Sequence, residues 1–525
     1  MTTQPTTRAL SPQVPFTPTT PLPAAGPAAA RFPEGFTWGA ATAAYQVEGA
    51  AAIGGRGPSI WDTFCRVPGA VHGGHDGAVA CDQYHRYRED VALLRDLGVD
   101  SYRFSTSWAR VMPDGRTVNR AGLDYYSRLV DELLASGIAP WLTLYHWDLP
   151  QALEDSGGWP ARDTAYRFAE YAAVMHDALG DRVRTWTTLN EPWCSAFLGY
   201  TAGVHAPGRQ SPADGVAAVH HLLLGHGLAL GELRRRDAEA SLGITLNFTV
   251  ADPFDPSDPA DVNAARLEDG FFNRMFLDPI FCGAYPADIV DDVAHLGLAD
   301  HVQDGDLDLI SAPIDVLGVN YYNGAAVSAR PEQGVPQGQN RPDGVRSVSE
   351  GPHREVSPPQ PVGPVHPRSR GLPTTDMGWE VQPEGLTRLL QRLQADYAGP
   401  RGVAMYVTEN GAAYPDVVEP DGSVDDPDRI AYLDAHLRAV HAAIEDGADV
   451  RGYFVWSLLD NFEWALGYSK RFGIVRVDYE TQRRTVKASG RWYAQVAAAN
   501  AVDAVDAGPA ATPAGPRESP DGQPR

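Results

Sequence analysis

The sequence is poor in cysteine. Only Cys65, Cys81, Cys194 and Cys282 occur in 525 residues, with neither a C-x-x-C pair nor histidines at zinc-ligand spacing. A disulfide framework is therefore not expected, and neither is a structural zinc module. Reduced, mostly buried thiols fit better, although the sequence leaves open whether Cys65 and Cys81 approach one another. Positive charge is also scarce: 43 Lys and Arg stand against 67 Asp and Glu, for a net charge of −24. That balance argues against nucleic acid or an anionic membrane as a partner. No run approaches the ~18 apolar residues of a membrane span. Residues up to Ala30 contain no basic start followed by an apolar h-region. The expectation is a soluble, cytoplasmic protein, and the charge bears on its solubility more than on its substrate. A Gly-rich phosphate fingerprint after the first strand-like run is missing as well, which weakens an open nucleotide-binding sheet.

Between low-complexity ends lies a chain with 43% hydrophobic residues, enough for a large core. The arm over residues 1–30 and the tail over 503–525 read as disordered by composition. An internal Pro/Gly/Ser-rich segment, 328–372, is too long for an ordinary connector and reads as a functional loop or a disordered insert. The remainder, 31–502, shows no second domain. Eight strand-like runs recur in it: Thr37 to Ala41, Ser101 to Ser105, Pro140 to Tyr145, Thr185 to Leu189, Gly243 to Phe248, Val316 to Asn320, Ala404 to Thr408 and Gly452 to Ser457. Helical patterns with apolar residues at i, i+3 and i+4 fall between them, as in Arg86 to Leu97, Leu123 to Leu134 and Ala165 to Leu179. Eight strands mostly separated by helices predict an α/β fold, a single closed (β/α)8 TIM barrel with long βα loops.

In such a barrel the chemistry gathers where the strands end. The residues there are polar and aromatic: Gln46 and Glu48, His146 and Trp147, Asn190 and Glu191, Asn320 and Tyr322, Glu409, then Trp456, Glu463 and Trp464. Each has an ordinary structural reading. Asn190-Glu191-Pro192 resembles a helix start with proline in the first turn, Asn410-Gly411 a turn with positive φ, and tryptophan is usually core. Their joint placement at matching strand ends is what a core does not select. Carboxylates and amides there can chelate sugar hydroxyls while tryptophan faces cover C–H surface. Two glutamates, Glu191 and Glu409, follow buried strand-like runs. Cleavage of a glycosidic bond needs such a pair, one protonated and one ionised.

The motifs Gln46-Val47-Glu48-Gly49, His146-Trp147-Asp148-Leu149-Pro150, Thr188-Leu189-Asn190-Glu191-Pro192, Gly318-Val319-Asn320-Tyr321-Tyr322, Thr408-Glu409-Asn410-Gly411 and Trp456 to Trp464 closely resemble those of the family-1 glycoside hydrolases of β-glucosidase type. The resemblance runs from Phe36 to about Trp492. It implies a retaining exo-β-glucosidase with Glu191 as acid/base and Glu409 as nucleophile, about 5–5.5 Å apart. It further implies sugar contacts from Gln46, His146, Asn190, Asn320, Glu463 and Trp464, and a stacking platform at Trp456. Trp147 and Phe472 would wall the pocket. Trp379 would meet the leaving group, and Arg103 and Tyr322 would tune the nucleophile. No metal or cofactor is implied. The partners would be small β-glucosides and cello-oligosaccharides, with β-galactoside and β-fucoside side activity and a role in cellulose degradation. The oligomeric state, monomer or homo-oligomer, is left open. A transglycosidase, a 6-phospho-β-glucosidase and an inactive sugar-binding barrel are the competing readings. Glu463 argues against the phosphorylated substrate by charge repulsion, and the retained Glu191 and Glu409 argue against inactivity.

Overall fold

A computed structural model describes residues 29–331 and 357–503. Eight parallel strands close into a barrel in sequence order: β1 (Thr37–Ala41), β2 (Ser101–Ser105), β3 (Ala139–Tyr145), β4 (Thr185–Asn190), β5 (Ser241–Phe248), β6 (Val316–Tyr321), β7 (Ala404–Asn410) and β8 (Val450–Trp456), which pairs back onto β1. These are the eight runs expected, with ends moved by no more than two residues. The strands are legible because parallel strands are covered on both faces and read as continuous apolar or small runs. Gly39 in β1 shows the tightness of the barrel interior: a Cβ there would lie 2.2 Å from the Phe454 ring of β8.

The three expected helices are present and somewhat longer: α1 (Gln83–Asp96), α2 (Arg120–Ala135) and α3 (Asp163–Leu179). In α2 the buried positions Leu123, Tyr126, Val130 and Leu133 follow the helical period and pack toward the barrel. Helix α4 (Pro212–Arg236) corrects one expectation. By length and composition it is apolar enough to cross a membrane, but 83% of that window is buried within the protein, where it packs against α3 and β4. It is a core helix, and its apolar character serves that packing. Two further helices matter below, α5 (Pro427–Glu445) and α6 (Ala488–Ala499).

The segment 328–372 is only partly as expected. Residues 332–356 lie outside the described region, but 357–372 pack in place. His366–Arg368 forms a strand against Ala325–Ser328, which in turn pairs with Ala251–Pro253. Ser357 donates its N–H to the Ala202 carbonyl, and Arg370 ion-pairs with Glu380. Pro367 disguised this strand in the sequence, yet it sits at the sheet edge, where no ladder bond is forfeited. At the other pole Ala30–Arg31 pairs antiparallel with Ala501–Val502. The expected arm therefore ends slightly earlier, and the rest of it, 1–28, lies outside the described residues, as does 504–525. Cys65 and Cys81 are not bridged; their thiols contact the Tyr45 hydroxyl and the Asp460 carbonyl.

Candidate active site

The strand ends deliver their side chains to one cavity of about 880 Å³ including its mouth. Glu191 stands one residue past β4 and Glu409 is the penultimate residue of β7. Three of the site residues have left-handed backbone: Trp147 (φ 73°), Glu191 (φ 47°) and Trp464 (φ 47°). That conformation is costly for a residue with a Cβ and turns each side chain off the strand direction. At Glu191 both sequence readings hold, since Pro192 opens a helical segment and Glu191 precedes it. The turn reading of Asn410-Gly411 does not hold. Neither residue has positive φ; Asn410 ends β7, and a Cβ at Gly411 would lie 1.7 Å from the Trp456 carbonyl oxygen. Close approach, not turn geometry, requires that glycine.

Glu409 is gripped on both oxygens. Arg103 Nη1 donates to Oε1 at 2.7 Å and the Tyr322 hydroxyl donates to Oε2 at 2.8 Å. Burial raises the Glu409 carboxyl above its ordinary range, and the guanidinium and the two hydrogen bonds from Arg103 and Tyr322 pull it back. The net direction is upward, so the cation offsets burial without overcoming it. Glu191 has no ion pair. Asn320 Nδ2 donates to its Oε1 at 2.6 Å and Cys194 Sγ contacts its Oε2 at 3.2 Å. Burial first, and then the Glu409 charge, push Glu191 up to about 8. Of the two, Glu191 therefore keeps its proton and Glu409 carries the charge.

Around this pair the cavity wall includes His146, Trp147, Asn320, Tyr322, Trp379, Trp456, Glu463, Trp464 and Phe472. The imidazole of His146 stacks near both Trp456 and Trp464, and Trp147 packs against Trp464 with ring centres 4.6 Å apart. Tyr322, Trp379 and Phe472 also pack together along the wall. Gln46, Asn190 and Arg103 stand behind the wall. Gln46 Nε2 donates to Asn461 Oδ1 and the Phe462 carbonyl, which holds the loop after β8. Several buried polar atoms here have no protein partner, among them Gln46 Oε1, His146 Nδ1, Glu463 Oε2 and Trp379 Nε1. Such atoms are costly unless a ligand meets them. Burial and two neighbouring carboxyls raise Glu463 to about 8. It is then largely a neutral hydrogen-bonding group near neutral pH, which corrects the charge-repulsion argument made for it from sequence. A phosphate finds no support for another reason: among the described residues no lysine or arginine lines the cavity. Nor does any cluster of three or more His, Cys, Asp or Glu among the described residues have the arrangement of a metal site.

Sequence reasoning missed Trp193, Cys194, Leu198, His205, Asn247, Phe272 and Met377, which also line the cavity. Trp193 and Cys194 were within reach, because a helix starting at Pro192 puts its first turn over Glu191. Asn247 is the penultimate residue of β5, inside a run expected as a strand. Leu198 and Phe272 sit on short helical segments between barrel strands, and His205 and Met377 on loops, none with a signal of its own.

The whole arrangement has counterparts. Residues 28–502 match the family model described as Glycosyl hydrolase family 1. The chain is 51% identical over 472 residues to the thermostable beta-glucosidase B of Thermobispora bispora, covering 89% of this chain and 91% of that one. It is 48% identical over 473 residues to a bifunctional beta-D-glucosidase/beta-D-fucosidase of Bifidobacterium breve, covering 88% and 97%. The crystal structure of the psychrophilic beta-glucosidase of Micrococcus antarcticus superposes with a TM-score of 0.85 at 57% identity, over 90% of this chain and 98% of that one. With the fold, the strand-end glutamates and the sequence in agreement across nearly its whole described length, the chain belongs to glycosyl hydrolase family 1.

Proposed function

We propose that the protein is a retaining exo-β-glucosidase that removes terminal non-reducing β-D-glucosyl residues, from cello-oligosaccharides among others. The unequal surroundings of the two glutamates carry this reading. Glu409, held ionised by Arg103 and oriented by Tyr322, attacks the anomeric carbon. Glu191, kept protonated by burial, gives its proton to the departing oxygen. When Glu409 is esterified its charge is gone, and Glu191 ionises and takes a proton from the attacking water. Trp456 and the unpartnered atoms of His146 and Glu463, all on the cavity wall, suit the hydroxyls and the apolar face of one sugar ring. The bifunctional relative supports β-fucoside side activity, since the two sugars differ at only a few contacts.

The test is an NMR assay of the anomer first released from aryl β-D-glucoside, β-D-galactoside, β-D-fucoside and 6-phospho-β-D-glucoside. β-Glucose is expected from the first, with the phosphorylated substrate slowest. The Glu409→Ala variant should lose turnover, and azide should restore it with inverted stereochemistry. Near-normal activity in that variant would refute the assignment.

A further inference from the structure

Arg103 is buried and has only N–H groups to offer, so each of its partners must accept. Besides Glu409 it donates from Nη2 to Asn190 Oδ1 at 2.6 Å. That contact fixes the Asn190 amide, whose Nδ2 then faces His146 Nε2 at 3.0 Å. The neutral imidazole, held so by burial, must carry its proton on Nδ1. Asn320 is fixed by the same root: its Nδ2 donates to Asn190 Oδ1 at 3.1 Å, and its Oδ1 accepts the Thr408 hydroxyl at 2.7 Å. Asn320 can therefore only donate to Glu191 Oε1. An oxygen that accepts so short a bond does not also carry the acid's proton. Oε2 accepts only the longer and weaker S–H contact from Cys194 at 3.2 Å, so the proton is left to Oε2, and Cys194 Sγ in turn accepts from Asn247 Nδ2 at 3.8 Å.

We propose that this one-way chain of hydrogen bonds, rooted in Arg103, places the acid's proton on Glu191 Oε2, and that Cys194 is the positioning residue for that oxygen. The proposal rests on the reading of Glu191 as acid/base. In the first step the Oε2–H bond breaks and its proton goes to the glycosidic oxygen, as the C1–O bond breaks and the bond from C1 to Glu409 forms. A thiol is a weak acceptor and competes little for that proton. In the second step Glu191 is an anion, and the Cys194 S–H donates to Oε2 until a water proton arrives there. The donor favours the charged form modestly.

Two measurements test this. In the pH profile of kcat/KM for an aryl β-glucoside with a poor leaving group, the basic limb should move in opposite directions. Cys194→Ser, with a stronger donor, should lower it by roughly half a pH unit, and Cys194→Val, with none, should raise it by roughly as much. A packing role would alter melting temperature or rate without that ordering. On the wild-type chain, the infrared S–H stretch should shift to lower frequency when a 2-deoxy-2-fluoro-glucoside traps the glycosyl-enzyme and Glu191 ionises. A chain that gains no mass from the fluoro sugar refutes the retaining reading itself. A chain that gains mass but shows an unshifted S–H band and coincident limbs refutes the role of Cys194 alone.

Discussion

Glu409 touches a guanidinium and a phenol, whereas Glu191 touches an amide and a thiol. Burial acts on both, so the partners decide which one holds the proton. The same burial has a cost in stability. Glu191 and Glu463 sit at about 8 in the folded protein, against ~4.3 in an unfolded chain. Between those values the folded state keeps protons that the unfolded state has released. The stability tied to these groups is therefore complete below ~4.3, declines as pH rises, and is lost above about 8. Glu191→Gln removes one such group. Its melting temperature is expected to exceed that of the wild type by more at pH 9 than at pH 5, in calorimetry at matched ionic strength. An advantage independent of pH would mean that Glu191 does not titrate where its burial places it.

Among the elements, the loop that leaves β8 at Trp456 and runs to α6 carries Glu463 and Trp464 and has little regular structure of its own. It is held from behind by charge. Lys487, fully buried just before α6, pairs with Asp460 at 2.8 Å and with Asp416 at 2.6 Å, and Arg471 pairs with Asp460 at 2.6 Å. Arg429 of α5 bonds Asp426 and Asp416, and Asp426 also accepts from the Ser489 hydroxyl. Two loops and two helices thus meet on one ion network. Lys487→Met should leave Asp416 and Asp460 facing each other without their shared cation, at a cost of roughly 3–5 kcal/mol in urea unfolding. KM should rise with it as the sugar-binding loop loosens. Unchanged KM with lowered stability would separate the network from the site. Little of this network was legible in the sequence: Asp426 and Arg429 are neighbours on one helical turn, but the contacts of Lys487 with Asp416 and Asp460 join separate segments that only the fold brings together. The barrel strands were legible for the opposite reason: each is a local apolar run whose end marks the chemical face. His366–Arg368 fell between these cases, a strand hidden by proline in a segment whose composition resembles a linker. Gly411 was legible as a glycine but for the wrong reason, since only the folded barrel brings the Trp456 carbonyl against it.

At the scale of the molecule, the two glutamates and the Arg103 and Tyr322 side chains that hold Glu409 come from four barrel strands or their ends, so the site exists only when the barrel is closed. Closure is reinforced where the first and last described segments meet. Beyond the pairing of Ala30–Arg31 with Ala501–Val502, the Asn500 side chain accepts from Trp38 Nε1 at 3.0 Å and donates to the Phe32 carbonyl at 2.9 Å. Trp38 belongs to β1, the strand that meets β8. A chain ending at Ala499 is expected to melt several degrees lower and to lose activity with heating sooner than one spanning 29–503, which should match the full chain in kcat/KM. Equal melting temperatures for the two would show that the barrel closes without its terminal strap. Most of the residues that share the cavity with the two glutamates were legible at this scale, because strand-end position and residue chemistry coincide. The rest of the cavity wall was not, since His205, Phe272 and Met377 come from segments between the strands that only the folded barrel brings to the site.

The left-handed backbone at Glu191 reaches beyond the reaction itself. An L-residue there carries about 1–2 kcal/mol of local strain, on top of a buried carboxyl that becomes harder to keep as pH rises. A laboratory population of this gene selected only for surviving heat would find its easiest gains at this codon, where glycine or asparagine relaxes the chain and removes the acid together. Selection for durability alone would erase the enzyme at its first step, and only a screen that also demands sugar release would hold position 191 in place.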